Sequence, residues 1–258
     1  MARSRVYKTE AIVLKRINLG EADSIITLYT PNFGKIRAVA KGARRPKSKL
    51  GGHLDLLTRS ALLLAQGQNL DIITQVQSIE SFIPLKSDIK RISCAFYIAE
   101  LVDQFTAEHV ENYPIYRLLY ENLQWLCAAR SCEIVLRHFE LQLLSHLGYQ
   151  PELHNCLSCK SQLLPERNLF SAISGGVLCP ACARNEPMAR PISVDALKIM
   201  RFLLTSDSTS ADRLRMSREL SQEVELLLRV YVQYLLEREV KSLGFLDHLS
   251  RSEPTCSP

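Results

Sequence analysis

The spacing of hydrophobic residues along the chain changes near residue 87. Before that point, hydrophobic residues alternate with polar ones or form short runs rich in β-branched side chains, which is typical of β-strands. Beyond it, they recur at every third or fourth position, which is typical of amphipathic helices. The pattern therefore predicts an α+β chain with a β-rich N-terminal domain and a helical remainder.

Turn sequences divide the N-terminal part into five predicted strands. Glycine, proline and asparagine favour turns at residues 20–23, 31–34 and 66–69. The predicted strands cover residues 7–19, 24–30, 35–41, 53–65 and 70–83, although residues 54–64 also fit a helical period. Five strands with one long loop predict a small closed β-barrel, for which the OB-fold is the commonest solution and an SH3-like barrel the alternative.

Helices and a cysteine-containing insert are predicted for the remainder. The predicted helices cover residues 87–108, 113–126, 131–147, 193–204 and 219–240, with a polar linker at 206–210. Proline, asparagine, serine and glycine interrupt the helical pattern at residues 150–190. The predicted domains are an OB-fold at 1–83, an α-helical bundle at 84–150 and 191–248, a four-cysteine zinc module at 151–190 inserted before the C-terminal helices, and a disordered tail at 249–258.

Four of the eight cysteines form two C-x2-C pairs. Cys156 and Cys159 make the first pair, and Cys179 and Cys182 follow after nineteen residues. This spacing is typical of a zinc site in which each pair occupies a tight turn. A redox role would need one pair in a βαβ context, which the pattern lacks. Because four thiolates complete a tetrahedron, the sequence predicts one structural Zn²⁺ per chain.

Positive charge is concentrated at the N-terminal end. Residues 1–60 hold 13 Lys and Arg against 4 Asp and Glu, a net charge of +9, while the remainder holds 19 against 23, a net charge of −4. Seven cations without an intervening acidic residue lie on the third strand and the next loop: Lys35, Arg37, Lys41, Arg44, Arg45, Lys47 and Lys49. On the strand we expect them on a solvated face. The cluster predicts a surface that binds a polyanion through its phosphates.

Motifs of known catalytic sites are missing from the sequence. It holds no phosphate loop, G-x-G-x-x-G, G-x-S-x-G or H-E-x-x-H motif. Glu21 and Asp23 are interpreted as turn-formers or as local counter-charges to the basic strand. We therefore expect a non-catalytic binding protein and not an enzyme. Since neither a signal peptide nor a membrane-spanning apolar run is recognisable, we expect a cytoplasmic protein.

Three segments resemble the RecO family of bacterial recombination mediators. They are Gly-Glu-Ala-Asp at residues 20–23, Thr-Pro-Asn-Phe-Gly-Lys at 30–35, and Lys-Gly-Ala-Arg-Arg-Pro-Lys-Ser at 41–48, followed by Gly-Gly-His-Leu at 51–54. The segment at 41–48 is the most specific of them. The layout of barrel, helices, cysteine module and returning helices is similar to that family over the whole chain.

The resemblance implies a function in DNA repair and homologous recombination. It implies an OB-fold that binds single- and double-stranded DNA and anneals complementary strands. It also implies that RecR is a partner in loading RecA onto single strands covered by single-stranded-DNA-binding protein (SSB), and that the acidic, hydrophobic SSB tail is bound. For that tail we consider Arg91, Arg130 and Arg137, because a basic residue beside an apolar groove would suit it.

Two other function classes remain open from the residues alone. A zinc-containing RNA-binding factor would show the same combination of barrel and cysteines. A protein adaptor would use the helical bundle for one partner and the basic loop for an acidic protein surface. If the partner is DNA, phosphate contacts should dominate over base stacking, because the aromatic residues of the barrel are few: Tyr7, Tyr29, Phe33 and Phe82.

Overall fold

The computed structural model describes residues 6–237 and residues 240, 242, 244 and 246. Its described residues fall into two compact units: the first holds residues 6–128 with 242, 244 and 246, and the second holds residues 129–237 and 240. The predicted tail at 249–258 lies outside the described residues. Among the residues that are described, no helix is both long and apolar enough to cross a membrane.

The first unit begins with a closed β-barrel of five strands. The strands are β1 (Val6–Leu19), β2 (Asp23–Thr30), β3 (Gly34–Ala40), β4 (Arg59–Ala65) and β5 (Asp71–Glu80). Their order around the barrel is β1-β2-β3-β5-β4, and β3 runs parallel to β5 while the other pairs are antiparallel. This arrangement confirms the predicted OB-fold, a five-stranded Greek-key barrel, over the SH3-like alternative.

Alternation along the strands fills the barrel with small and branched side chains. On β3, Ile36, Ala38 and Ala40 are buried in the barrel core, as their spacing predicts. They pack there with Ile26 and Leu28 of β2. The short side chains of β3 suit an interior that is too narrow for large residues on every strand.

The fourth strand is shorter than predicted, so the prediction of a strand from residue 53 was wrong. Gly51–His53 forms a single 3₁₀ turn and β4 begins at Arg59. Between them, Leu57 takes a left-handed backbone conformation with φ of 63°, and its N–H donates to the carbonyl oxygen of Val13 (2.8 Å). Leu54 and Leu57 are fully buried. The segment before β4 therefore contributes hydrophobic side chains to the core and does not form part of the sheet.

Three helices with described bounds follow the barrel in the first unit. They are α1 (Ile83–Lys86), α2 (Ile89–Phe105) and α3 (Tyr113–Ala128). The carboxylate of Asp88 caps α2 by accepting from the backbone N–H groups of Lys90 and Arg91. An ion pair joins Arg59 to Glu10 (2.7 Å), and the Tyr116 hydroxyl of α3 donates to Glu10 as well (2.9 Å). Helix α3 is therefore fixed against two strands of the barrel.

Over its described residues, the second unit combines four α-helices with a small sheet. The helices are α4 (Cys132–His146), α5 (Val194–Thr205), α6 (Ser208–Ala211) and α7 (Arg218–Leu236), and the strands are β6 (Asn168–Ser171), β7 (Gly176–Leu178) and β8 (Arg190–Ile192). Ser131 caps α4, and Gly148 follows this helix with φ of 81°. Helix α7 stops short of the predicted residue 240, because Glu237 is left-handed with φ of 51°.

A loop from the helices crosses the turn between β2 and β3. The N–H of His109 donates to the carbonyl oxygen of Lys35 (2.8 Å), and the carbonyl of Val110 lies over Gly34. A Cβ built on Gly34 would be 1.9 Å from that carbonyl oxygen. The glycine is also left-handed, with φ of 60°, a conformation that costs other residues free energy.

Replacing Gly34 with alanine is expected to lower the free energy of unfolding by about 3 kcal/mol, because it combines left-handed strain with displacement of the loop. The control is Gly20→Ala, since Gly20 is equally left-handed (φ of 56°) but has no atom within 4 Å of its Cβ position. We expect that control to cost about 1 kcal/mol. Urea denaturation measures both, and equal losses would contradict the close packing of the loop on Gly34.

Candidate nucleic-acid interface and metal centre

The outer face of strands β1, β2 and β3 is covered by helices at one end and free at the other. Directly paired residues of antiparallel strands point to the same side, so the face consists of rows across the strands. The rows are Ile12, Tyr29 and Lys35; then Lys15, Thr27 and Arg37; then Ile17, Ile25 and Val39. The first row is buried against the helices, and the third is partly exposed.

Lys35 belongs to the covered row, so the expectation that it lies on a solvated face was wrong. It is 9% exposed, and its ammonium group contacts the carboxylate of Asp103 (3.2 Å) and the backbone oxygen of the same residue. Asp103 lies on α2, far away in sequence. The period of β3 shows which face Lys35 takes, but it cannot show that a helix covers that end of the face.

Arg37 lies at the edge of the helical cover. Its side chain is half exposed, and its Nε is 2.7 Å from a carboxylate oxygen of Glu108. Lys15, in the same row, is exposed, whereas Thr27 between them is 5% exposed. Lys15 is separated along the chain from the cationic run, so the sequence alone gives no reason to include it. The strand register gives the signal that places it near Arg37.

Residues 41–49, which we call the cationic loop, present five exposed cations. These are Lys41, Arg44, Arg45, Lys47 and Lys49. Backbone bonds from Arg45 to Gly42 (3.1 Å) and from Ser48 to Arg45 (2.9 Å) fold the loop into successive turns. Proline at position 46 and glycine at 42, the latter with φ of 65°, suit these turns. Unlike Lys35, the loop cations lie where an anion can reach them.

The cationic loop is held against the turn between β1 and β2. The backbone N–H of Gly42 donates to the Asp23 carboxylate (2.7 Å), which acts as the turn-forming group that the sequence suggested. Arg44 donates twice, from its backbone to Ala22 and from its guanidinium to Gly20, each at 2.9 Å. The base of the loop is thus fixed, while the remaining guanidinium and ammonium groups face solvent.

Aromatic side chains contribute little to this surface. Tyr29 and Phe82 are buried, and Tyr7 packs against the barrel core with its hydroxyl bonded to Asp71. Phe33 is 39% exposed, and its ring packs on Tyr7 with a centroid separation of 4.8 Å. The surface beside the cationic loop is therefore aliphatic, and Ile17 is 47% exposed there. Such a surface favours phosphate contacts over base stacking.

The four cysteines of the C-x2-C pairs converge, and we call them the cysteine centre. All four Sγ atoms lie within 4.8 Å of one another, and those of Cys159 and Cys179 are 3.9 Å apart. Thiolates around a tetrahedral zinc ion, each at about 2.3 Å, would be about 3.8 Å apart. The donor set and its spacing therefore fit a thiolate-bound metal ion.

Local turns and a strand position the cysteine centre. The first pair lies on a turn in which the N–H of Lys160 donates to the carbonyl oxygen of Cys156 (2.9 Å). Lys160 itself is left-handed, with φ of 61°. The second pair follows β7 and is turned by a bond from the N–H of Cys182 to the carbonyl oxygen of Cys179 (3.1 Å). The N–H of Leu157 donates to the carbonyl oxygen of Val177 (3.0 Å), which joins the first turn to β7 just before the second pair.

Hydrogen bonds give two of these thiols, Cys159 and Cys182, very different pKa values. The Ser161 hydroxyl and backbone lower the pKa of Cys159 to about 6. A hydrogen bond with the Ser158 hydroxyl lowers the pKa of Cys182. The hydrogen bonds of Cys182 with the thiols of Cys179 and Cys159 outweigh that effect and raise its pKa to about 11. Four thiols this close can all ionise only with a cation among them, which is the condition that a bound metal supplies.

The three arginines considered for an acidic peptide tail differ in accessibility. Arg137 is buried and pairs with Glu140 at 2.9 Å. Arg91 is about one-quarter exposed and pairs with Asp88 at 3.3 Å. Arg130 is 65% exposed, with Asp212 at 3.9 Å, and of the three it is the most accessible to an incoming carboxylate.

Comparison with known sequences identifies similarity over nearly the whole chain. The family model described as Recombination protein O N terminal matches residues 1–82, and that described as Recombination protein O C terminal matches residues 86–244. The DNA repair protein RecO of Roseiflexus sp. (strain RS-1) is 42% identical over 99% of this chain and 90% of its own length. Those of Dehalococcoides mccartyi and Desulforamulus reducens are 40% and 36% identical, over 98% and 96% of this chain and 99% and 96% of their own lengths.

Proposed function

The chain belongs to the RecO family of recombination proteins, and we propose that it serves DNA repair and homologous recombination by binding single- and double-stranded DNA and annealing complementary strands. In this role it is a non-catalytic cytoplasmic protein, associated with the nucleoid during repair. The OB-fold domain at residues 1–83 supplies the DNA surface, and the helical domain at 84–150 and 191–248 and the module at 151–190 complete the proposed organisation.

The observation that carries the proposal is the cationic loop. Five exposed cations on a loop with a fixed base give a dense positive potential, which is the usual electrostatic footprint of nucleic-acid binding. Each phosphate contact releases condensed counterions, so binding is strong at low salt and falls as salt rises. Of the seven predicted DNA-binding residues, we propose that the five loop cations contact DNA directly. Arg37 is paired with Glu108 at the edge of this surface, and Lys35 supports the strand through Asp103.

Annealing follows from a surface that holds phosphates and leaves bases free. Two complementary strands repel one another through their backbones, and cations that screen both backbones lower that repulsion. Because the exposed side chains near the loop are aliphatic, with few aromatic platforms, bound bases are not held in stacks on the protein. They remain available to pair with the second strand.

We propose that the cysteine centre binds one Zn²⁺ per chain through Cys156, Cys159, Cys179 and Cys182. Thiolate ligands favour zinc among the available divalent metals, and four protein ligands leave no open position for catalysis. When bound, the ion supplies crosslinking of the two turns. The chain itself orients the ligands through the bond between Leu157 and Val177 and through the backbone N–H of Cys179, which donates to the Cys156 sulfur (3.4 Å).

We further propose that the protein acts with RecR in loading RecA onto single strands covered by SSB, and that it binds the SSB tail. The family resemblance supports these partners. For the acidic tail, Arg130 is the arginine that the exposed surface favours, because Arg137 is buried in an ion pair. A charge at Arg137 is already compensated by Glu140 and lies away from solvent.

Competition binding tests the proposed function against its alternatives. A labelled single-stranded DNA is bound to the full chain and challenged with unlabelled DNA, RNA or an acidic peptide of the SSB-tail type, and annealing of complementary strands is measured in parallel. We expect DNA to compete best and annealing to accelerate. Preferential competition by RNA would favour an RNA-binding factor, and competition by the peptide alone would favour a protein adaptor.

A further inference from the structure

We infer that Glu108 occupies the position of a nucleic-acid phosphate on Arg37, and that a bound strand displaces it and contacts Arg37 together with Lys15. The inference rests on the proposed DNA-binding function and extends the interface from the cationic loop onto the strands. It adds Lys15 as a binding residue and assigns Glu108 as a competing anion within the same chain.

The contact between Arg37 and Glu108 has the geometry of an arginine–phosphate contact. The Nε of Arg37 is 2.7 Å from a Glu108 carboxylate oxygen, a short charge-assisted hydrogen bond. A phosphate oxygen accepts from a guanidinium in the same way. Because roughly half of the Arg37 side chain is exposed, an anion from solvent can approach the group that Glu108 now contacts.

The strand register brings Lys15 to the same row. Lys15 pairs with Thr27, which in turn pairs with Arg37, so both cations lie on the outer face two strand spacings apart, about 10 Å. Thr27 between them is short and buried, so its side chain does not project between the two cations. The long side chains of lysine and arginine can converge on one phosphate group across that distance.

The backbone of Glu108 is held against β3 independently of the side-chain contact with Arg37. Its backbone forms an isolated parallel β-bridge with Lys35, and the next residue, His109, donates its N–H to Lys35 with φ of 61°. The segment therefore stays on β3 when the carboxylate turns away. Displacement needs a side-chain rotation and no opening of the fold.

Exposure decides which of the two strand cations is exchangeable. In the pair of Arg37 and Glu108 the side chains are 49% and 36% exposed, whereas in the pair of Lys35 and Asp103 they are 11% and 27% exposed. Water screens the first pair, so it contributes little and is easily replaced. Opening the second would leave a buried cation unpaired. Arg37 is thus available to DNA and Lys35 is not.

The test measures binding of the full chain to oligothymidylate by fluorescence anisotropy at several salt concentrations. Glu108→Gln keeps the shape of the side chain and removes its charge, so we expect binding on the order of fivefold tighter at low salt and a salt dependence steeper by about 0.7 in logarithmic slope. The matched control is Glu111→Gln, an exposed carboxylate on the same segment, for which we expect an unchanged slope. Adding Arg37→Gln or Lys15→Gln to Glu108→Gln should cancel the gain.

A gain in Glu111→Gln equal to that in Glu108→Gln would overturn the inference, as would a gain that survives Arg37→Gln. Unchanged melting temperatures establish that the variants fold alike, and Glu108→Ala repeats the measurement with the carboxylate removed outright. A wild-type chain that fails to bind oligothymidylate refutes the proposed function and this inference together. A wild-type chain that binds, with no effect of Glu108→Gln, refutes this inference alone.

Discussion

Reversing the charges of Arg44 and Arg45 to glutamate is expected to weaken binding of single-stranded DNA on the order of a hundredfold at low salt. Both side chains are exposed on the cationic loop. The change removes two phosphate contacts and places two anions beside the remaining cations. The logarithmic salt dependence should become flatter by about 1.4, since fewer counterions are released. Anisotropy titrations across a salt series measure both quantities.

Two further variants separate charge from loop structure. Arg44 also donates to Gly20, so its replacement loosens the base of the loop. Arg45→Glu with Lys49→Glu reverses two loop charges and keeps the bond from Arg44 to Gly20. This double variant should weaken binding comparably. The matched control is Arg213→Glu with Arg215→Glu, an exposed arginine pair outside the first unit. Unchanged affinity of the loop variants at matched salt would exclude the cationic loop from the DNA surface.

Replacing Cys156 with serine is expected to abolish metal binding and to unfold the module around the cysteine centre. Cys156 is fully buried and holds the N–H of Cys179 on its sulfur. Structural zinc contributes its binding free energy to folding, so its loss should lower the free energy of unfolding of the second unit by more than about 4 kcal/mol. Elemental analysis should give one zinc per wild-type chain and close to none in the variant.

Cys127→Ser is the control for the cysteine centre. Cys127 is a half-buried thiol of α3 that bonds the carbonyl oxygen of Leu123 (3.3 Å) and lies outside the four-cysteine group. This variant should keep its metal. Wild-type protein that is purified under reducing conditions and contains no zinc would contradict the proposed site, as would full zinc content in Cys156→Ser.

The features that the sequence predicts well are those decided by neighbours along the chain. The turn at 31–34 and the convergence of the C-x2-C pairs both depend on local backbone geometry. The strand order of the barrel follows because few closed arrangements of five strands exist. Each of these predictions agrees with the structure.

The features that the sequence does not predict depend on contacts between distant residues. Lys35 and Arg37 occupy equivalent positions in the alternating pattern of β3. Lys35 is nevertheless buried and pairs with Asp103 of α2, while Arg37 remains half exposed. β4 begins later than predicted because Leu57 takes a left-handed backbone conformation. The sequence does not indicate this conformation, since leucine and not glycine or asparagine occupies the position. Glu108 contacts Arg37 from a distant loop, and nothing in the sequence of that loop predicts that it packs on β3. The DNA-binding residues themselves remain a prediction.

The bonds that join the cationic loop to the turn at residues 20–23 bear on how quickly and how selectively the surface binds. Ordering a flexible backbone costs about 1–2 kcal/mol per residue, and here that entropy is lost on folding and not on association. The five cations are also kept close together despite their mutual repulsion, so their field exists before any ligand arrives. Association should therefore be fast and governed by ionic strength, with little selection among base sequences.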